Sequence, residues 1–318
     1  MNRRNWLQLS ATASLALLLG ACKWRQPPLL RHAAHPWPGY EFVFLARELN
    51  LLDPALVKLI ETPAATANIR ALGSQVIESS SLTLDEVLSA RERGIPLTIV
   101  SVLDVSMGAD VLMAPASVSS LKDLKGLRIG VEHTATGALM LDSALKVAGL
   151  TAADIQTVYV TVDEHYEAYT QGLVDAVVTY EPVKSRLAKL GAEVRFSSRE
   201  IPGMIIDLMA VRSDVMESHA AAIREVVHAH FRALEAWQRD PEKYSALMAA
   251  RLNLPVDDVV GAFSTLELPD LKQNLSWFEG AEPRILQTAR TLGRSMAASG
   301  LLKAEPVLDQ LADGRFLT

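Results

Sequence analysis

Apolar, β-rich runs alternate along the chain with stretches whose apolar residues recur at three- and four-residue steps. The runs predict strands over 56–61, 75–78, 97–103, 110–114, 127–131, 157–160, 176–179, 193–196 and 205–211. The stretches between them predict helices over 40–49, 64–72, 84–93, 137–148, 164–171 and 182–190. Strands separated by helices imply crossover connections and a mostly parallel sheet, hence an α/β fold. From Ser218 the texture is helix only. Ile223, Val226, Val227, His230, Phe231, Leu234 and Trp237 lie on one apolar face, and Asp240-Pro241 ends that helix and starts another. Pro255, Pro269 and Pro283 punctuate the rest. A long-range echo links Ala71-Leu-Gly73-Ser-Gln-Val-Ile-Glu to Thr170-Gln-Gly172-Leu-Val-Asp-Ala-Val. Two similar α/β lobes would produce it, and so would the common grammar of βα units.

Composition narrows the function. The 318 residues carry 31 Lys+Arg against 37 Asp+Glu and a single Cys. An intrachain disulfide is therefore impossible. A formal charge of −6 argues against nucleic-acid binding. Arg3 and Arg4 precede an apolar run over 9–19 that is too short and too rich in Ala and Ser to span a membrane. It ends in Leu18-Leu19-Gly20-Ala21-Cys22, which resembles a bacterial lipobox. That resemblance implies a signal peptide over 1–21, a lipid on Cys22 and a tether over 22–27. A buried Cys in an N-terminal anchor helix is the alternative. Arg3-Arg4-Asn5-Trp6-Leu7 also resembles a twin-arginine export signal, although an ordinary Sec signal would serve. The expected location is the periplasmic side of the cell envelope, lipid-anchored. Because the body is acidic, the lipid must do the holding.

In open α/β sheets ligands bind beyond the carboxyl ends of the strands, so the segments between strand and helix are the candidate site. The first, His35-Pro-Trp37-Pro-Gly39-Tyr40, presents two aromatic rings on a stiff loop. Trp37→Ala is expected to weaken ligand binding with little loss of melting temperature. The second, Ser79-Ser80-Ser81-Leu-Thr83, leads into a capping box from Thr83 to Glu86 and leaves serine hydroxyls free to donate. The third carries Asp104 and Ser106. The fourth, Glu132-His-Thr134-Ala135-Thr136-Gly137, opens a helix and is a candidate anion site. The fifth is Asp163-Glu164-His165, and the sixth is Tyr180-Glu181-Pro182. Metal and catalytic readings lack a pattern: there is no His-Glu-x-x-His, no Gly-x-Ser-x-Gly elbow and no evident nucleophile beside Glu164 and His165. No metal or cofactor is expected.

Several strings, in order, carry a resemblance. They are Trp37-Pro-Gly-Tyr40 with Leu45-Ala-Arg-Glu48, Leu82-Thr-Leu-Asp-Glu86, Leu121-Lys-Asp-Leu-Lys-Gly-Leu-Arg-Ile-Gly-Val-Glu132, and Gly172-Leu-Val-Asp-Ala-Val-Val-Thr-Tyr-Glu-Pro182. Together they resemble substrate-binding lipoproteins of ABC importers, in the nitrate/sulfonate/taurine branch that also contains binders of thiamine-pyrimidine precursors. The resemblance implies a two-lobed periplasmic-binding-protein type II fold, each lobe a mostly parallel sheet flanked by helices, with extra C-terminal helices. It implies lobe one over 28–113 plus 211–318 and lobe two over 114–210, with crossings near Met113–Pro115 and Asp207–Ala210. It implies a ligand held by Trp37, Gly39, Tyr40, Ser80, Ser81, Asp104, Ser106, Thr134, Ala135, Thr136, Tyr180 and Glu181. Its partners would be a small organic solute and a membrane permease, and the protein would be a monomer. A ligand-presenting sensory subunit and a pyrimidine-precursor synthase-like enzyme are the alternatives. One departure weakens transfer of a ligand from relatives: Gly73 is followed by Ser-Gln-Val-Ile-Glu, without the Asp found after Gly172. The tips carry acids and no Lys or Arg. Nitrate is therefore disfavoured, and an organic ligand with an aromatic, amine or zwitterionic part is preferred.

Overall fold

In the computed structural model, which describes residues 27–318, the strands gather into two sheets. The signal peptide, Cys22 and all but the last residue of the tether lie outside the described residues. The chain first builds β1 (Leu30–Ala34), β2 (Val57–Glu61), β3 (Ser79–Thr83) and β4 (Leu97–Ser106). The helices α1 (Glu41–Glu48), α2 (Ala65–Gly73) and α3 (Leu84–Glu92) alternate with them. It then crosses to a second sheet and repeats the plan. There β5 (Val111–Pro115), β6 (Arg128–Val131), β7 (Gln156–Tyr159), β8 (Ala176–Thr179) and β9 (Ala192–Ser197) enclose α4 (Ala135–Ala148), α5 (His165–Thr170) and α6 (Val183–Ala188). Finally β10 (Ile206–Arg212) returns to the first sheet, and the short β11 (Leu266–Glu267) adds its edge.

The two sheets share one design. β2, β1 and β3 are parallel, and β10 runs antiparallel between β3 and β4. Likewise β7, β6 and β8 are parallel, and β5 runs antiparallel between β8 and β9. Each sheet thus receives a strand at the point where the chain changes sheets. The echo noted above falls at equivalent places, α2 into β3 and α5 into β8.

The helices after β10 complete the first half. They are α7 (Ala220–Arg239), α8 (Pro241–Leu252), α9 (Val256–Phe263), α10 (Leu271–Phe278) and α11 (Arg284–Ala298). The expected apolar face of α7 is buried, with Ile223, Val226, Val227 and Leu234 turned to the core. Phe42 of α1 packs edge-on to His230 at 5.5 Å and to Trp237 at 5.8 Å. On the other side α11 covers α3, and a Cβ on Gly293 would lie 3.7 Å from Leu88 Cδ1. No helix among the described residues is long and apolar enough to cross a membrane.

Three expectations change. The strand expected over 75–78 is a turn in which Gln75 has a φ of 60°, and the strand begins at Ser79. β1 lies where only a loop was expected. The sheet changes fall at Met107–Asp110 and Ser198–Ile205, ahead of the expected crossings at Met113–Pro115 and Asp207–Ala210. Met113 is already paired in the second sheet, and Asp207 is already paired in the first.

Candidate ligand-binding site

Between the two sheets lies a narrow, partly open cleft of about 40 Å³. The first half lines it with His35, Trp37, Tyr40, Ala65, Thr83, Glu86 and Asp207. The second half supplies Glu132, Thr134, Thr136, Gly137, Met140, His165, Val178, Thr179 and Tyr180, and the first crossing supplies Asp110. The volume suits a few waters or a small head group. A larger guest requires the halves to part.

The aromatic loop is anchored from below. Pro38-Gly39-Tyr40 forms a single turn, and Gly39 presses so close to β4 that a Cβ there would lie 1.7 Å from Asp104 Oδ2. Trp37 Nε1 donates to that same oxygen at 3.0 Å. Tyr40 donates its hydroxyl to Asp207, the residue opposite Asp104 in the β4–β10 register. Tyr180 closes the far side, its ring edge-on to Trp37 at 5.2 Å.

Five expected residues, Trp37, Tyr40, Thr134, Thr136 and Tyr180, therefore line the cavity together. The others are placed elsewhere. Ser80 and Ser81 are fully buried within β3. Ser80 donates to Ala33 O at 2.8 Å, and His32 bonds Ser79 at 2.8 Å and Ser81 at 3.2 Å. Ser79 and Ser81 thus serve a buried strand histidine, and Ser80 the backbone of β1. Gly39 is the loop's point of contact with Asp104, which lies beneath it. Ser106 bonds Ser198 at 2.7 Å in the crossing. Ala135 faces an outer groove. Glu181 turns back onto Ser185, accepting from its amide at 3.1 Å and its hydroxyl at 3.0 Å. Trp37 is 3% exposed and belongs to the apolar core as well as the wall, so its removal should lower both binding and melting temperature. Thr83, Glu86, Asp110, Glu132 and Asp207 were missed as lining residues, although three of them stood in the segments named above.

The halves touch around this space. Glu132 accepts from Thr66 N at 3.0 Å and Thr66 Oγ1 at 2.8 Å, at the N-terminus of α2. Thr136 bonds Thr83 at 2.8 Å and donates to Asp85 at 2.8 Å. The helix start expected to hold an anion thus meets carboxylates of the same protein.

Burial dominates the electrostatics. It raises Asp110 to about 7 and also raises Glu86, Glu132, Asp104 and Asp207. It holds His35 and His165 neutral, lowering them to about 3 and about 4. No Lys or Arg lines the cavity. Among the described residues no group of three or more His, Asp, Glu or Cys is placed to hold a metal.

A family model described as NMT1/THI5 like matches residues 56–244, more than half of the chain. The chain belongs to the NMT1/THI5-like family. A relative in Escherichia coli strain K12, whose name assigns it to aliphatic sulfonate binding, is 28% identical over 219 residues, covering 66% of this chain and 68% of that protein. The alkanesulfonate-binding protein SsuA from Xanthomonas axonopodis pv. citri, solved with MOPS, superposes with a TM-score of 0.77 at 18% identity, covering 91% of this chain and 99% of its own. The desulfurization enzyme DszB, as a cysteine-to-serine mutant in complex with biphenyl-2-sulfinic acid, superposes with a TM-score of 0.62 at 17% identity, covering 91% and 97%. These structures share the two-sheet fold. The two-sheet fold therefore hosts both binding proteins and an enzyme, and the site has to decide between them.

Proposed function

We propose that this NMT1/THI5-like protein is an extracytoplasmic solute-binding protein. It captures a small organic solute between two lobes and delivers it to the membrane permease of an ABC importer. The lobes correspond to the two sheets with their helices, and the lipid expected on Cys22 holds the protein at the membrane surface. The observation that carries the reading is the cleft walled by both halves, with aromatic rings from each meeting across it at Trp37 and Tyr180. A guest contacting both walls stabilises the closed arrangement over the open one.

Binding fits the site better than catalysis. The nearest thing to a nucleophile and base is Thr179, 3.2 Å from His165 Nδ1, with His165 Nε2 held by Val160 O at 3.2 Å. Burial lowers that imidazole to about 4, far from the value that suits a base at neutral pH. The test is native mass spectrometry of the protein after exposure to a mixed pool of anionic, neutral and cationic metabolites. A single small-molecule adduct that leaves on unfolding is expected. A protein that carries nothing from such a pool would overturn solute binding.

A further inference from the structure

The hydrogen-bond groups around the cavity are unequally satisfied. On the donor side the Tyr180 and Thr134 hydroxyls and His35 Nε2 have no acceptor among the described residues, and the others are engaged. Trp37 and Tyr40 donate to Asp104 and Asp207. Thr136 donates to Asp85, so Thr83 must be the donor in its bond to Thr136. Val160 O can only accept, so His165 Nε2 carries the proton and Nδ1 accepts from Thr179. On the acceptor side, oxygens stand free. Asp110 is 4% exposed, and its Oδ2 is buried with no partner. Asp207 Oδ2 is also unpartnered, but Asp104, its neighbour across the β4–β10 register, lies beside it. Glu86 engages one oxygen with Thr83 N and Glu132 one with Thr66, each leaving its second oxygen without a donor among the described residues. Buried polar groups are almost always paired in native structures. Of the buried unpartnered carboxyl oxygens, Asp110 Oδ2 and Asp207 Oδ2 belong to lining residues, and a guest can bring the donor they lack.

We propose that the guest is a cation: a small organic solute whose protonated nitrogen donates to Asp110 Oδ2 and to the free oxygens of Glu86 and Glu132, between the rings of Trp37 and Tyr180. This rests on the solute-binding reading above. The charge matches the lining, where among the described residues four carboxyl groups and no Lys or Arg stand, although the Lys184 ammonium outside it acts on Asp110. An aromatic wall also suits a cation. A protonated amine has three N–H donors, whereas a sulfonate has none. A sulfonate could take the Tyr180, Thr134 and His35 donors but would bring its negative charge against four carboxyl groups.

The proposal carries a pH dependence. Asp85, Glu86, Asp104 and Asp207 come from the first half, Glu132 from the second and Asp110 from the crossing, and all are raised by burial. His35 and His165 stay neutral. Lys184, 3.8 Å from Glu181, stands outside the lining. The carboxyls must ionise to receive a cation, so affinity rises with pH.

Titration calorimetry of the purified protein tests this with two matched pairs, ethylamine against ethanesulfonate and benzylamine against benzenesulfonate. At pH 8 the amine of at least one pair should bind at least tenfold more tightly than its sulfonate, and about tenfold more weakly at pH 6. Asp110→Asn should cost at least tenfold in amine affinity while the unliganded variant melts no lower than the parent. Where that variant does not fold, Glu86→Gln carries the same expected loss, its amide oxygen still accepting from Thr83 N. A sulfonate binding more tightly than its amine would overturn the cation and leave solute binding standing. Failure of both amines to bind would also overturn it, and the metabolite-pool experiment, which is blind to charge, would then decide whether solute binding survives.

Discussion

Asp110 and Glu41 are held to about 7 and about 8 by burial, Glu41 even with Arg251 beside it. The folded protein therefore keeps protons that the unfolded chain has already released, and these groups make stability fall as pH rises from about 4 to about 8. Buried histidines act in the opposite sense. His32, His35 and His230 are lowered to about 3 from 6.5, and His165 to about 4, so they remove stability as pH falls below 6.5. Above 6.5 only the acids act. The melting temperature of the ligand-free protein should accordingly drop between pH 6.5 and pH 8, and Asp110→Asn should flatten the drop. A profile level across that range would show that these carboxyls ionise without cost. At this scale the sequence exposed the aromatic wall, because Trp37 and Tyr40 sit between prolines and a glycine that allow few conformations. It hid Asp207, whose role depends on facing Asp104 from a strand more than a hundred residues away.

Strands and helices were legible where local pattern and burial agree. Ala176–Thr179 is a run of apolar and β-branched residues buried throughout, and the face of α7 repeats with helical period. β1 and β3 were not, since Arg31, His32 and Ser79–Ser81 look like loop residues until His32 is seen bonded to two of those serines. The crossings were displaced for a related reason, being stitched to each other rather than patterned along the chain. Gly108 N donates to Ser198 Oγ at 2.7 Å, Ser106 N to Ile205 O at 3.1 Å, and Arg199 Nε to Met107 O at 2.8 Å. Gly108 has a φ of 111°, and a Cβ there would lie 2.6 Å from Arg199 Nε. Gly108→Ala should therefore destabilise the protein by about 1–3 kcal/mol in chemical denaturation. The double variant with Arg199→Ala should recover only part of the loss, because the backbone strain remains after the side-chain clash is gone. Full recovery would mean the clash was the whole effect and this junction tolerates a non-glycine backbone.

For the molecule as a whole, the halves meet in apolar packing that includes Leu84, Val87 and Leu88 of α3 and Leu139 and Met140 of α4, and in polar contacts beside the cavity. Thr136 belongs to the second half and bonds Thr83 and Asp85 of the first, so its hydroxyl is satisfied by protein only when the halves are together. An exposed ion pair between Lys189 and Asp258 at 2.7 Å adds little, as surface pairs generally do. Thr136→Val keeps the shape and removes the hydroxyl. In the open form Thr83 and Asp85 would bond water instead, so the cost falls on the closed form alone, at about 0.5–1.5 kcal/mol per hydrogen bond. A shift of that size moves a two-state equilibrium roughly two- to thirteenfold toward open for each bond lost. Small-angle scattering of the ligand-free variant should show a larger radius of gyration than the parent, with an unfolding midpoint close to unchanged. A midpoint that drops while the radius stays put would place Thr136 in the rigid core, and the two halves would then be a single body without the motion that capture and release require.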